Sequence, residues 1–151
     1  GQDMDQQHNP YQCNLGYQVS LSGKGEWKKT SDEFLRSNSM ALTRYLTEMG
    51  MGVDVHGRDY TKAACRAVSD ALRHSSLNFF KALGKSHEDM RITVKVAVSE
   101  PEKLDVERIA SEIPYGSVTV DPCKGGLDID SEAGLDPIVV ANAGIIVCFE
   151  E

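Results

Sequence analysis

The most regular pattern of apolar and polar positions lies between residues 90 and 98. Apolar β-branched side chains occupy every second position from Ile92 to Val98, and Arg91, Thr93 and Lys95 stand between them. A period of two is that of a β-strand, in which successive side chains point to opposite faces of a sheet. The pattern therefore predicts a strand with one face in the core and the other partly in water.

Three further segments have strand-like patterns, at residues 41–49, 117–120 and 137–149. The last segment is apolar almost throughout, which favours a central position in the sheet. Its Ala-Asn-Ala-Gly middle predicts a β-bulge or a close approach by another backbone.

Helical periodicity is clearest over residues 60–74. Small or apolar residues recur there at i, i+1, i+4, i+5, i+8 and i+9, which makes one stripe along a helix. These positions are held by Ala63, Ala64, Ala67, Val68, Ala71 and Leu72. Asp59 is placed to cap this helix, and the many alanines allow it to lie close to a sheet. A second helix is predicted over residues 105–113 and a short one over residues 77–83.

The order of these elements predicts an α+β domain over residues 40–151, with a mixed sheet and two main helices packed on one face. The other face would carry Thr43, Tyr45, Arg91, Thr93 and Lys95. That set is too polar for a second core but suits a subunit interface or a pocket, so a homo-oligomer is expected. Residues 1–39 are predicted to be a partly mobile arm with the pattern of a short hairpin, able to dock into a larger assembly.

The composition narrows the classes of partner. The net charge is −7 over 151 residues, which argues against nucleic acid and anionic membranes. No window reaches the roughly 18 apolar residues that a membrane-spanning helix needs. The cysteines form no C-x-x-C pair, so we expect a reducing compartment, either the cytoplasm or an organelle stroma such as that of a plastid. No metal and no cofactor are predicted.

The segment EMGMGVDVHGRDYTKAA, residues 48–64, concentrates the candidate chemistry. Gly50, Gly52 and Gly57 precede the predicted helix, where free backbone N–H groups and the helix dipole favour an anion. The spacing matches neither the dinucleotide-binding fingerprint nor the P-loop. We expect these glycines to bind a small anionic ligand, and an ordinary strand-to-helix turn is the alternative.

The titratable residues near these glycines are the candidate catalytic groups. His56 lies between Asp54 and Asp59, so its imidazole could transfer protons while Asp54 fixes its tautomer. Capping of the turn and of the helix is the alternative for the two carboxylates. Lys62 opposes the helix dipole, and a bound anion or a carboxylate partner would explain it. Lys95 in mid-strand is a candidate base or activator of a nucleophile, unless it forms an interface salt bridge.

Further ligand-binding candidates lie at other points of the chain. Thr61 is in the first turn of the helix, and Lys124, Gly125 and Gly126 form a flexible basic tip. Asn142 stands in the apolar last strand, where an unpaired amide is costly and needs a backbone group or a ligand as its partner.

These motifs, in this order, resemble a family of uncharacterised small bacterial and plastid-type proteins. Its members carry GMG, VD, HG, D, TKAA and RAV, followed by a VK strand, a PYG turn, a KGGLDI loop and a VANA strand. The chain has the corresponding residues at 50–54, 56–57, 59, 61–64, 94–95, 114–116, 124–129 and 140–143. The resemblance spans about residues 40–149 and implies no known activity.

The helix rich in small residues that leads to a lysine-bearing strand is also similar to one repeat unit of the ring-opening amidohydrolases acting on cyanuric acid and barbiturate. That resemblance implies a Lys–Ser pair at a subunit interface, with Lys95 as the lysine. The chain departs from it by lacking a Ser-Gly-Gly signature.

Three functions are compatible with these residues. The first is an enzyme that hydrolyses, or moves protons on, a small anionic or amide-containing molecule. The second is a non-catalytic binding or sensor module that uses the same site. The third is a structural or accessory subunit of a larger assembly.

Overall fold

The computed structural model describes residues 17–19, 42–74, 78–134 and 136–151. The strands are β1 (Tyr17–Val19), β2 (Leu42–Asp54), β3 (Arg91–Val98), β4 (Ser117–Lys124), β5 (Leu127–Ile129) and β6 (Ile138–Glu150). The helices are α1 (Tyr60–Arg73), α2 (Asn78–Ala82) and α3 (Val106–Ala110), and 3-10 turns cover His87–Asp89 and Pro101–Lys103. The fold is α+β with a mixed sheet, which confirms the predicted fold class.

All these strands belong to one sheet, in the order β1-β4-β3-β6-β2. β3 and β4 are parallel, and the other neighbours are antiparallel. β5 pairs with β6 beyond the end of β3, with Leu127 opposite Val140 and Ile129 opposite Ile138. The long apolar segment is therefore central, as predicted, and β2 is an edge strand.

Helix α1 covers one face of this sheet at very short range. The alanine stripe of α1 is fully buried, and it faces Gly50 and Gly52 of β2. A Cβ atom on either glycine would overlap the α1 backbone, at Ala67 and Ala71 for Gly50 and at Ala63 and Ala67 for Gly52. Small residues on both elements therefore let the two backbones meet, which excludes water and fixes the position of α1.

The core lies between the sheet and the helices. Val94, Val96 and Val98 of β3 point into it, together with alternate residues of β6 such as Ile145 and Val147. Helix α3 closes the same side of the sheet with Ile109 and Ala110 and with Ile113 just beyond its end. Asp105 caps α3 by accepting a hydrogen bond from the Arg108 N–H at 3.2 Å.

Several predicted bounds are corrected by the structure. β2 continues to Asp54 instead of ending at residue 49, because the glycines stay in the sheet as contact points for α1. β4 extends to Lys124 rather than residue 120, since it pairs with β3 along the full length of that strand. Helix α3 is shorter than predicted. The register of β6 is continuous through residues 141–144, so the bulge is not there but in β2, between Arg44 and Leu46.

This β2 bulge also corrects the predicted position of Tyr45. Its ring packs edge-on against Phe149, with ring centroids 5.1 Å apart, and against Phe80 of α2. Tyr45 therefore lies on the helical side of the sheet and not on the opposite face. The extra residue of a bulge shifts the alternation of side chains by one position, and the local sequence pattern did not predict this bulge.

The predicted arm at residues 1–39 lies outside the described residues, apart from Tyr17–Val19, which pairs with β4. In the described ranges, no helix is both long and apolar enough to cross a membrane.

Candidate functional site

The sheet has a second face, opposite α1, which we call the open face. It is formed by alternate residues of β2 to β6 that lie side by side across the strands. One row across the sheet consists of Met49, Gly144, Lys95 and Asp121, and the next consists of Met51, Asn142, Ala97 and Cys123. The described helices pack on the other side, so these rows face outward.

A cleft of about 590 Å³ lies on the open face around Gly144. Because Gly144 has no side chain, a gap is left between Met49 on one side and Lys95 on the other; a Cβ atom there would touch nothing within 4 Å. The lining also includes Met51, Asn142 and Cys123. The cleft is thus a mostly apolar depression whose walls carry the Lys95 ammonium group, the Asn142 carboxamide and the Asp70 carboxylate.

Lys95 is held in place by an ion pair with Asp121 on the neighbouring strand. The Lys95 Nζ lies 2.6 Å from the Asp121 Oδ2, and half of the lysine side chain is exposed while the aspartate is buried. The second carboxylate oxygen, Asp121 Oδ1, is buried and has no hydrogen-bond partner in the described part of the chain. A buried carboxylate is costly unless it is paired, so Lys95 stabilises Asp121 while still facing the cleft.

The start of α1, where the sequence predicted an anion, is occupied by the protein's own carboxylates. The Asp59 N–H donates to Asp54 Oδ2 at 3.1 Å, and the Lys62 N–H donates to Asp59 Oδ1 at 3.0 Å. The Gly57 N–H donates to Asp136 Oδ2 at 3.1 Å. These contacts occupy three of the amide groups around the start of α1 with the protein's own carboxylates. The predicted capping role of Asp59 is confirmed.

Asp54 is the buried centre of this arrangement. Besides the Asp59 N–H, its carboxylate has Lys62 Nζ at 3.4 Å and Arg66 Nη1 at 3.6 Å. Asp54 thereby joins the end of β2 to the first two turns of α1, and Lys62 has the carboxylate partner that the sequence left as an alternative. This geometry gives Asp54 a structural role, and among the described residues it forms no hydrogen bond or ion pair with His56.

His56 and Thr61 do not meet in a shared pocket. His56 is exposed in the loop after β2 and is not among the residues that line the cleft. Thr61 is buried, and its hydroxyl oxygen accepts a hydrogen bond from the Asp105 N–H at 3.0 Å. The Thr61 side chain therefore ties α1 to the start of α3.

The predicted basic tip is the turn between β4 and β5. The Gly125 N–H donates to the Val98 carbonyl oxygen at 2.9 Å. Gly126 has a φ of 63° and lies against the Val140 carbonyl, so a side chain there would be strained and would clash. Lys124 is exposed at the end of β4. A Cβ atom on Gly125 would lie 3.0 Å from the Ala97 Cβ, so close packing accounts for this glycine as well.

Three of the predicted site residues do share one place: Gly50, Lys95 and Asn142 all border the cleft. Met49, Met51 and Gly144 were missed as site residues, although they complete it. The signal for the methionines was present, since they alternate with Gly50 and Gly52 and must point to the opposite face once β2 is extended. Asp121 was missed because its partnership with Lys95 depends on the parallel pairing of β3 and β4.

A second polar cluster surrounds the first residue of α1. The Tyr60 hydroxyl is 2.5 Å from Asp128 Oδ2 and 2.9 Å from Glu100 Oε2. Burial, followed by the hydrogen bond with Asp128, raises the pKa of Tyr60 to about 12. Lys103 contacts Glu100 at 3.1 Å and helps to lower the pKa of that carboxyl. The cluster links α1 to β5 and to the turn after β3, away from the cleft.

The fold and the cleft together define a two-layer α+β protein with one sheet face uncovered among its described residues. The chain belongs to a family of conserved hypothetical proteins, Lin0512_fam, whose model matches residues 44–147. This finding agrees with the prediction that the chain belongs to a family of uncharacterised proteins.

A solved structure supports the same fold. The chain is 36% identical to an FtsZ-like protein of unknown function from Nostoc punctiforme PCC 73102, whose crystal structure was determined at 1.22 Å resolution. The TM-score is 0.67, and the alignment covers 75% of this chain and 100% of that one. None of the curated proteins matches this chain.

Proposed function

We propose that this protein is a homo-oligomer that binds a small molecule carrying a carboxylate or an amide in the cleft of the open face. The observation that carries the proposal is the placement of Lys95 and Asn142 on the walls of one cleft. An ammonium group and a carboxamide are suitable partners for anionic and amide oxygens. The site differs from the one predicted at the start of α1, whose amide groups are bonded to carboxylates.

The size and lining of the cleft support a small ligand. Ligand pockets usually have volumes of about 300–1,000 Å³ and combine apolar walls with a few fixed polar groups. Lys95 is fixed by Asp121 on a rigid strand, so its ammonium group does not have to be ordered when a ligand arrives. Asn142 can both donate and accept hydrogen bonds, which suits the N–H and C=O of an amide.

The Lys95–Asp121 pair also determines how an anion would bind. A carboxylate ligand must share the ammonium group with Asp121 or displace it, and that competition weakens binding. An uncharged amide avoids this repulsion and can accept a hydrogen bond from Lys95 without breaking the pair. The wild-type cleft should therefore prefer amides or ureides to simple carboxylates.

Hydrolysis has less support than binding. No serine is among the residues lining the cleft in the described chain, so the Lys–Ser pair implied by the amidohydrolase resemblance has no counterpart there. The exposed apolar side chains of the open face favour the alternative of an accessory or structural subunit, because such surfaces mark protein contacts.

The proposal is tested by titrating the full chain with malonate, inorganic phosphate, barbiturate and cyanuric acid, using calorimetry and the shift in melting temperature. At about pH 6, where cyanuric acid is largely uncharged whereas malonate, phosphate and barbiturate are anions, we expect saturable binding of at least one probe, with cyanuric acid preferred. Lys95→Met should abolish the shift, and Asp121→Asn should strengthen malonate binding several-fold by removing the competing charge.

Lys62→Met is the matched control, because Lys62 is a half-exposed lysine at the other predicted site. It should leave probe binding unchanged. The proposal is overturned if no probe binds, if binding survives Lys95→Met, or if Lys62→Met abolishes binding as completely as Lys95→Met does.

A further inference from the structure

The open face carries large apolar side chains that the described chain leaves in water. Met49 is 74% exposed and Met51 58%, while Leu127 and Ile129 of β5 are 56% and 46% exposed. Register places all four on the same side of the sheet, with Leu127 beside Val140 and Met51 beside Asn142. Apolar surface concentrated in this way marks a contact with another macromolecule.

We propose that the occupant of this face is a second copy of the same chain, packed sheet to sheet, which roofs the cleft. The packing of the two faces rests on the apolar surface alone, whereas the enclosure of a ligand rests on the proposed function. In this arrangement the second copy contributes one wall of the ligand site.

The central strand β6 is largely apolar on both of its faces. On the helical side β6 presents Ala141, Ala143, Ile145, Val147 and Phe149, all of them buried. On the open side it presents Val140, Ile146 and Cys148, interrupted only by Asn142 and Gly144. Strands that are apolar on both faces occur where both faces are covered, whereas a face meant for water carries polar residues at alternate positions.

The area of the open face suits a subunit interface. Four strands of about eight residues, at roughly 3.3 Å per residue and about 4.8 Å between strands, give a plane of roughly 500 Å² before the relief of the side chains is added. A stable protein interface buries about 800 Å² on each partner. The flat area is about three-fifths of that figure, and the projecting side chains add to it, so the open face approaches the size that a two-fold contact requires.

The shape of the open face is complementary to that of a second copy of itself. Met49 and Met51 project from β2, and the depression at Gly144 lies directly beside them. In a two-fold contact each patch meets its own copy, so the methionines of one subunit would lie over the depression of the other. Methionine is unbranched and adapts to irregular gaps, which suits this position. The central row carries the compensated pair Lys95–Asp121 and thus no unpaired charge.

Assembly and ligand binding are then coupled. A roof of methionines excludes water from the cleft and strengthens the contacts of Lys95 and Asn142 with a bound molecule. Dissociation of the subunits opens the cleft to solvent. We therefore expect probe affinity to rise with protein concentration through the range in which the oligomer forms.

The test compares the full chain with the variant Met49→Lys/Met51→Lys by sedimentation velocity and light scattering. Wild type should form a discrete oligomer at micromolar concentration, and the double variant should be monomeric with an unchanged far-ultraviolet circular dichroism spectrum. Leu83→Lys is the matched control, because Leu83 is 45% exposed but follows α2 on the helical side. It should assemble as wild type does.

Alkylation by iodoacetamide, followed peptide by peptide in a mass spectrometer, identifies the face directly. Cys123 and Cys148 lie on the open face, whereas Cys65 is buried in α1. Their thiols should react slowly in wild type and at least ten-fold faster in the double variant, with Cys65 slow in both. Equal rates in the two proteins would refute the interface.

The outcomes separate this proposal from the proposed function. A monomeric wild type that binds a probe through Lys95 overturns the interface and leaves ligand binding standing. If wild type is an oligomer, the double variant is monomeric and no probe binds to wild type, the interface is supported and the proposed ligand binding is overturned. Assembly that survives the double variant overturns the interface whether or not a probe binds.

Discussion

Gly52 in β2 lies directly against Ala63 in α1, so closely that a Cβ atom on the glycine would overlap the helix backbone. This contact, and the matching one between Gly50 and Ala67, sets the distance between the helical layer and the sheet. Neither glycine has a φ in the left-handed region, so the absence of a side chain, and not backbone freedom, explains them.

Gly52→Ala should therefore destabilise the fold by about 2–4 kcal/mol, since α1 must move away from β2 and lose contacts along its length. Gly144→Ala is the control, because a methyl group there meets no atom of the same chain within 4 Å. Alanine is usually preferred to glycine in a strand, so this second variant should be as stable as wild type or slightly more stable. Urea unfolding followed by circular dichroism measures both, and equal losses would contradict the packing role of Gly52.

The sequence predicted the fold class well because the decisive signals are local. The alternation at Ile92 to Val98 and the alanine stripe of α1 each depend only on neighbouring residues. The extension of β2 through Gly50 and Gly52 could not be read in the same way, because glycine is weakly disposed to strands and its reason lies in a helix that follows in the chain. In the sequence alone, glycines next to a helix start therefore have the pattern of a binding loop.

The cleft was only partly predictable for a related reason. Lys95 and Asn142 can be identified from the sequence because each is a polar residue in an otherwise apolar strand. Their grouping with Met49 and Gly144 depends on the register of three strands, and the pairing of Lys95 with Asp121 depends on a parallel crossover. Contacts between residues far apart in the sequence produce no periodic pattern of apolar and polar positions from which they could be predicted.

Asp54 is expected to contribute more to stability than the helix cap beside it. Asp54→Ala removes the acceptor of the Asp59 N–H and leaves Lys62 and Arg66 without their buried partner. We expect a loss of about 2–3 kcal/mol. Asp59→Ala removes one capping hydrogen bond and should cost about 1 kcal/mol. Urea unfolding at neutral pH measures both losses, and a larger loss for Asp59→Ala than for Asp54→Ala would show that Asp54 is not the centre of the network.

Tyr60 should make the stability of the protein fall at high pH. Its pKa is raised from 10.0 to about 12, so the unfolded chain releases the phenolic proton before the folded chain does. The stabilisation is complete below pH 10 and is lost as the pH rises from about 10 to 12. Tyr60→Phe removes this dependence together with the hydrogen bond to Asp128, at a cost of about 1 kcal/mol at neutral pH.

The measurement for Tyr60 is the difference in unfolding free energy between wild type and Tyr60→Phe across pH 8 to 12. The difference should narrow above pH 10. Tyr115 also has a raised pKa because of its burial, but it is present in both proteins and cancels in the comparison. A difference that stays constant up to pH 12 would show that the Tyr60 hydroxyl titrates normally.

Asp70 should make the stability depend on pH at the acid end. Its carboxylate accepts a hydrogen bond from the Met51 N–H of the edge strand at 3.0 Å, and His74 lies 3.4 Å away. The Met51 hydrogen bond, followed in size by His74, lowers the pKa of Asp70 below its ordinary value of 3.8. The stabilisation is therefore present above about pH 3.8 and is lost as the pH falls through the lowered pKa of the folded state.

The melting temperatures of wild type and Asp70→Asn should differ at pH 6 and converge below pH 3. His74→Ala keeps the hydrogen bond to Met51, so its melting temperature should fall less than that of Asp70→Asn. A larger fall for His74→Ala would mean that the Asp70–His74 pair within α1, and not the hydrogen bond from the Met51 N–H, keeps the Asp70 carboxylate charged.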